Sequence, residues 1–291
     1  MLGIFSALGA SLSWTYACFI WRSQTHYNKA LDINLLKNLF AFIFFSPVLL
    51  TLKGFIQYKF LILLLISGII GIGFGDTFYL KSLKLIGTRK TLSIEALSPL
   101  LAAFSGEFFI NESLSIKSWI GIIIVSISLI LIVKTREQKI DEKNNLSTGY
   151  LYLKDYIFSF LSIFCAVIAA SISRLVFLET NLNPLQTTEI RLLGALIFLI
   201  IVLRFKINFF LNKLETEEKI KFIFSILLGT NIGIYLQQLV FQTLPLGVGW
   251  TLLSTSPLFS LFLAKKEEGS LSREVIVFTI FLFFGISLII L

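Results

Sequence analysis

Histidine is almost missing from this chain: His26 is the only one in 291 residues. The two cysteines, Cys18 and Cys165, sit inside apolar runs, with no C-x-x-C or other metal-ligand spacing. These shortages exclude the usual zinc sets and any histidine-centred acid–base pair, so no metal and no cofactor is expected. Charge is scarce as well. Asp, Glu, Lys and Arg make up 14% of the chain, where a soluble domain carries about 25%. Acidic residues are the rarer sign, 17 against 25 basic, for a net charge of +8. An excess of that size suggests a nucleic-acid partner when it clusters on one face. Here the basic residues fall in the gaps between apolar runs, the pattern that holds membrane loops at the surface, and no nucleic acid is expected.

What is abundant is bulky apolar sequence: 56% hydrophobic residues, 30 of them Phe, interrupted by only five prolines. A soluble fold of this size cannot hide so much apolar surface, because too large a share of it stays at the water boundary. A lipid bilayer becomes a partner of the protein. Crossing about 30 Å of hydrocarbon takes roughly 20 apolar residues. Such runs fall at 2–21, 33–52, 60–80, 91–110, 117–133, 155–178, 184–203, 220–242, 247–264 and 274–291. Backbone groups in lipid must be satisfied within their own segment, so the expectation is an all-α integral membrane protein with ten transmembrane helices. The first run lacks a basic leader and a small-residue cleavage site, and reads as a retained helix.

The long polar stretch 134–154 divides the ten runs into two sets of five, giving repeats at 1–133 and 155–291 joined by a charged linker. The halves match in sequence. Gly71, Gly75 and Ser98-Pro99-Leu100 recur at Gly229, Gly233 and Ser256-Pro257-Leu258, each pair 158 residues apart. Glu112-Ser-Leu-Ser reappears as Glu268-Gly-Ser-Leu-Ser, and Leu36-Lys37 aligns with Ile190-Arg191. An odd number of spans per copy inserts the second copy upside down, so two inverted five-helix repeats are expected. Lys and Arg then set the orientation. Nineteen lie in the odd-numbered loops and three in the even-numbered ones, with none at either terminus. The positive-inside rule places the odd loops and the 134–154 linker in the cytoplasm and both termini outside.

The stretch from Gly68 to Leu100, GIIGIGFGDTFYLKSLKLIGTRKTLSIEALSPL, resembles the third and fourth helices of an EamA-type repeat of the drug/metabolite transporter superfamily. Ser82-Leu83 stands at that repeat's "A-L" position, Pro99 at its proline, and Asn111-Glu112-Ser113-Leu114-Ser115 at its "G-E-x-L-S". The second copy supplies Pro257 and Glu268, and Arg191-Leu-Leu-Gly-Ala resembles the family's second-helix arginine segment. Asn111 replaces the usual glycine, Lys37 stands where arginine is common, and many relatives are drawn with cytoplasmic termini. The resemblance implies a carrier in a cell membrane, of the class whose members move amino acids, metabolites or nucleotide sugars, and names no cargo.

Charged groups inside hydrocarbon face a cavity or a partner. Thr91, Glu95, Ser98, Ala102 and Ser105 form one small-polar stripe on a helix face. This stripe is either a packing face, with Glu95 paired to a lysine, or a cavity wall whose carboxylate takes a cation or a proton. Asp76 follows the Gly71-x-Gly-x-Gly75 run, with Tyr79 one turn on and Lys81 or Lys90 as neutralising partners. That glycine run follows no strand and reads as close helix packing, not as a nucleotide fingerprint. The second copy is amide-rich and uncharged: Gln237 and Gln238, then Trp250, Ser254 and Ser256 before Pro257. Trp250 reads either as an interfacial belt residue or as a wall on which a solute stacks. Lys37, Arg174 and Arg191 are either snorkelling cations or gates of the two mouths. Pro99 and Pro257 remove a helix hydrogen bond each, and paired kinks in corresponding helices point to a transporter site.

These residues fit a secondary transporter, monomeric or homodimeric, that moves a small polar metabolite by alternating access. The third and fourth runs, with the eighth and ninth, are expected to line the path, with proton coupling through Glu95 or Asp76. The alternatives are a passive channel and an intramembrane enzyme. A filter or ring of like charges would mark the channel, and H-E-x-x-H or paired intramembrane aspartates would mark the enzyme. Neither pattern is in the chain.

Overall fold

The computed structural model describes residues 1–52, 57–144, 153–206, 208–263 and 273–290. The Glu268 motif, residues 145–152 of the charged linker, and Leu291 lie outside them. Every regular element among the described residues is helical. In the first half these are α1 (Leu2–Thr25), α2 (Ala30–Phe45), α3 (Tyr58–Ser67), α4 (Asp76–Leu85), α5 (Gly87–Glu95), α6 (Ser98–Phe109) and α7 (Ile116–Asn144). The second half holds α8 (Leu153–Glu179), α9 (Pro184–Val202), α10 (Thr216–Ser225), α11 (Gly233–Thr243), α12 (Leu246–Leu253), α13 (Ser256–Leu263) and α14 (Arg273–Ile290).

Among the described residues, eight helices are long and apolar enough to cross a bilayer. Two of them, Tyr58–Leu85 and Thr216–Thr243, widen in the middle into π-helix, at Gly68–Gly75 and at Ile226–Ile232. The fourth and ninth apolar runs are not continuous spans. Each is a pair of short helices, α5 with α6 and α12 with α13, parted at residues 96–97 and 254–255. Proline is the cause: Pro99 and Pro257 have no N–H for the carbonyls of Glu95 and Leu253. A serine takes up each slack carbonyl. Ser98 Oγ donates to Glu95 O at 2.6 Å, and Ser256 Oγ to Leu253 O at 3.4 Å. A further difference from the sequence reading is the length of α7, which continues through the polar residues after 133 to Asn144.

Outward-facing side chains are apolar and large: Phe109 is 75% exposed, Phe108 63% and Phe283 59%. A water-facing surface does not sustain patches of this kind, and lipid is the solvent that suits them. With lipid outside, helices associate by close contact at small residues more than by the hydrophobic effect. Gly71 meets α8, where an added Cβ would lie 2.6 Å from Ala169 Cβ. Its repeat counterpart Gly229 meets α1, where an added Cβ would lie 2.3 Å from Ala17 Cβ. The pattern is reciprocal. Helices α8 and α9 pack on the first π-helix, and α1 and α2 pack on the second. Buried asparagines tie both π-helices to α2: Asn34 Nδ2, on α2, donates to Ile72 O at 2.8 Å, and Asn231 Nδ2, in the second π-helix, donates to Ala41 O of α2 at 3.0 Å.

Connections after even-numbered runs meet at one end of the bundle. Arg174 Nε donates to Glu112 Oε1 at 2.5 Å, and its Nη1 to the carbonyls of Phe241 and Gln242 at 2.9 Å. The Leu246 N–H donates to Glu112 Oε2 at 2.7 Å, and Gln186 Nε2 reaches Thr51 O at 3.2 Å. Asn208 Nδ2, after the seventh run, donates to Asp32 Oδ2, after the first, at 3.3 Å. Asn111, at the motif's glycine position, has φ of 61°. Asparagine tolerates that left-handed backbone, so it closes α6 in glycine's place.

Candidate functional site

The two proline breaks face each other across the bundle. Ser98 Oγ lies 3.4 Å from Ser254 Oγ, so the interrupted helix of one half touches that of the other. Beside this contact is a cavity of about 150 Å³ whose walls come from both halves. Asp76, Tyr79, Glu95 and Ser98 line it from the first repeat; Arg191, Gln237, Trp250, Ser254, Ser256 and Pro257 line it from the second. The π-helix after α3 supplies a side-chain-free stretch of wall at Gly71 and Gly75.

Charge in the cavity is arranged in two ways. Asp76 is bonded to Lys37, whose ammonium is fully buried and lies over the rings of Trp21 and Trp14, at 4.3 and 5.4 Å from their centroids. The pair is compensated, and the tryptophan faces stabilise the cation further. Lys37 is thus part of the cavity's frame, and Lys81 is not Asp76's partner. Glu95 and Arg191 are arranged differently. Both line the cavity, and among the described residues no ion pair joins them to each other or to anything else. Arg191 is 3% exposed, with Nε and Nη1 lacking hydrogen-bond partners.

Trp250 is buried and stacks on Phe241, rings parallel within 6° and centroids 5.5 Å apart. It belongs to the cavity wall and not to an interfacial belt. Tyr79 stands with its hydroxyl 3.3 Å from Cys18 Sγ and its ring 5.8 Å from Trp14. Ser256 is held by α1, its Oγ 3.0 Å from Ser11 Oγ.

Several residues singled out from the sequence are placed elsewhere. Lys81 points its ammonium at Phe158 and Phe78, 5.1 and 5.9 Å from their centroids, outside the lining. Gln238 is buried with both amide atoms unpaired and does not line the cavity. Pro99 is buried and does not line the cavity. Arg174 ties the even-loop end together as described above. The walls also include residues that sequence reasoning passed over: Ser11 and Trp14 on α1, and Ser162 on α8. Their signal was the polar character of two apolar runs, with Ser11, Ser13, Trp14 and Thr15 in the first and Ser159 and Ser162 in the sixth. Among the described residues no His, Cys, Asp and Glu side chains group as a metal site would require.

The sequence model of the EamA-like transporter family matches residues 1–134 and again 153–291. No curated protein matches the chain. One solved crystal structure aligns with 99% of this chain and 98% of its own at a TM-score of 0.75, with 14% identity, a likeness of fold.

Proposed function

The chain belongs to the EamA-like transporter family, and from that premise we propose that it is a secondary transporter of a small polar metabolite, an amino acid or similar, working by alternating access. The observation that carries this reading is the cavity at the meeting point of the two proline breaks, walled by both repeats. Each break removes the helix hydrogen bonds that resist bending, so the segments on either side can tilt about it. We read the ten apolar runs as ten spans and the repeats as inverted. The reciprocal packing of Gly71 on α8 and Gly229 on α1 supports that symmetry. A two-fold related pair of bundles can close on one side while opening on the other.

Asp76 is compensated by Lys37, which leaves Glu95 as the carboxylate free to take a coupling proton. Purified protein in liposomes, loaded with one labelled amino acid from a panel, is expected to show saturable uptake and accelerated exchange with cargo on the far side. Flux without saturation or exchange would indicate a channel instead. Glu95→Gln is expected to fold, retain exchange and lose the response of net flux to an imposed pH gradient. A well-folded Glu95→Gln protein with full pH-driven flux transfers the coupling role to Asp76.

A further inference from the structure

Arg191 is an unusual side chain to bury without a partner. Its guanidinium presents a planar fork of donors, and leaving such donors unpaired away from water is costly. The structure keeps it so nonetheless. It comes off α9 into the cavity beside Gly71, where an added Cβ would stand 3.2 Å from Nη2 and 2.6 Å from Ala169 Cβ. Glycine at 71 therefore leaves room for the fork.

The acidic groups nearby do not claim it. Asp76 lines the same cavity but is bonded to Lys37. Glu189, two residues earlier on α9, is fully buried with both carboxylate oxygens unpaired. Glu95 shares the cavity and forms no ion pair with Arg191. An unpaired cation and an unpaired anion thus face one cavity without meeting. We propose that Arg191 is the anchor for a carboxylate of the cargo, held as a bidentate pair, with the cargo's cationic or donor end toward Glu95.

The cavity's size and charge favour a carboxylate over a phosphate. A space near 150 Å³ holds a molecule of about benzene's size. A dianionic phosphate would be repelled by Glu95, whereas the planar carboxylate of a zwitterion matches the fork and, with its cationic end toward Glu95, adds no net charge to the cavity. Arginine serves here better than lysine because both carboxylate oxygens are engaged at fixed geometry.

This inference rests on reading the cavity as the cargo site of a transporter, and the test separates the two. Detergent-purified full-length protein is titrated with L-alanine, L-valine and L-phenylalanine, each against its carboxamide, and with inorganic phosphate. Thermal midpoint and the fluorescence of the cavity tryptophans are the readouts. In the wild type at least one acid is expected to act at a concentration tenfold or more below its amide. Arg191→Gln is expected to erase that difference while keeping its own thermal transition, and Arg191→Lys to keep part of it. The assignment is overturned if amides act as well as acids, if Arg191→Gln still discriminates, if only phosphate acts, or if none of the probes acts. Arg191-dependent binding of an acid without flux in liposomes would uphold the subsite and defeat the transport reading. Flux that ignores both the carboxylate and Arg191 would do the reverse.

Discussion

Lys37 illustrates how a charge is kept in a membrane interior. Its side chain is buried, its ammonium sits over Trp14 and Trp21, and it is paired with Asp76. The partners differ in exposure: the Lys37 side chain is 1% exposed and that of Asp76 16%, because Asp76 borders the cavity. Removing one member of a buried pair leaves the other uncompensated, at a cost of about 3–5 kcal/mol when that survivor is wholly buried. Asp76→Ala is accordingly expected to lower the thermal midpoint strongly, since the stranded ammonium cannot reach water. Lys37→Met is expected to cost less, because the stranded carboxylate can be hydrated from the cavity. The double variant should recover part of the loss. Equal losses in both single variants, or purely additive ones, would show that the pair does not carry this energy. The sequence did not reveal this partnership. Lys81 and Lys90 were the expected neutralisers of Asp76, being near in sequence, whereas Lys37 lies on another helix and periodicity along one helix says nothing about its neighbours.

At the level of the element, the legible features were those written into one helix. Ser-Pro-Leu at a fixed offset of 158 residues announced both breaks, because a proline's missing donor acts within its own turn. The π-helices were not legible. A run such as Gly68–Gly75 reads equally as packing, and the Asn34 amide that bonds its Ile72 carbonyl comes from another helix, α2. The same limit hid α1 and α8 from the predicted path, since neither has a proline to draw attention to it. The breaks carry their own prediction. With Pro99→Ala or Pro257→Ala, the new N–H can bond the carbonyl that Ser98 or Ser256 now takes up, and the two short helices can fuse. The thermal midpoint should hold or rise in each variant, while flux through the reconstituted protein falls several-fold. Undiminished flux in both variants would mean that the breaks shape the cavity but do not act as hinges.

For the molecule as a whole, the charge count and the packing bear on one another. The count assigns the even-numbered loops to the outside and the odd-numbered ones to the cytoplasm. Contacts near the connections agree with that partition: Glu112 meets Arg174 and Leu246, Gln186 meets Thr51, and Asp32 meets Asn208. Ten alternating spans would put all loops of one parity on one face of the membrane, and one labelled position per face would then fix the rest. The test replaces Cys18 and Cys165 by serine and introduces single cysteines by Ser115→Cys, in the exposed connection after α6, and by Asn145→Cys, in the central linker. In intact cells an impermeant thiol reagent should modify the cysteine at 115 and spare the one at 145, which should react only after permeabilisation. A tag fused after Leu291 should be reachable from outside. The reverse pattern would invert the orientation, leaving the cavity and its residues in place while exchanging the side on which the Glu112–Arg174 pair lies. Labelling of both positions in intact cells would break the parity rule itself, and with it the alternation of spans from which the inverted repeat is inferred.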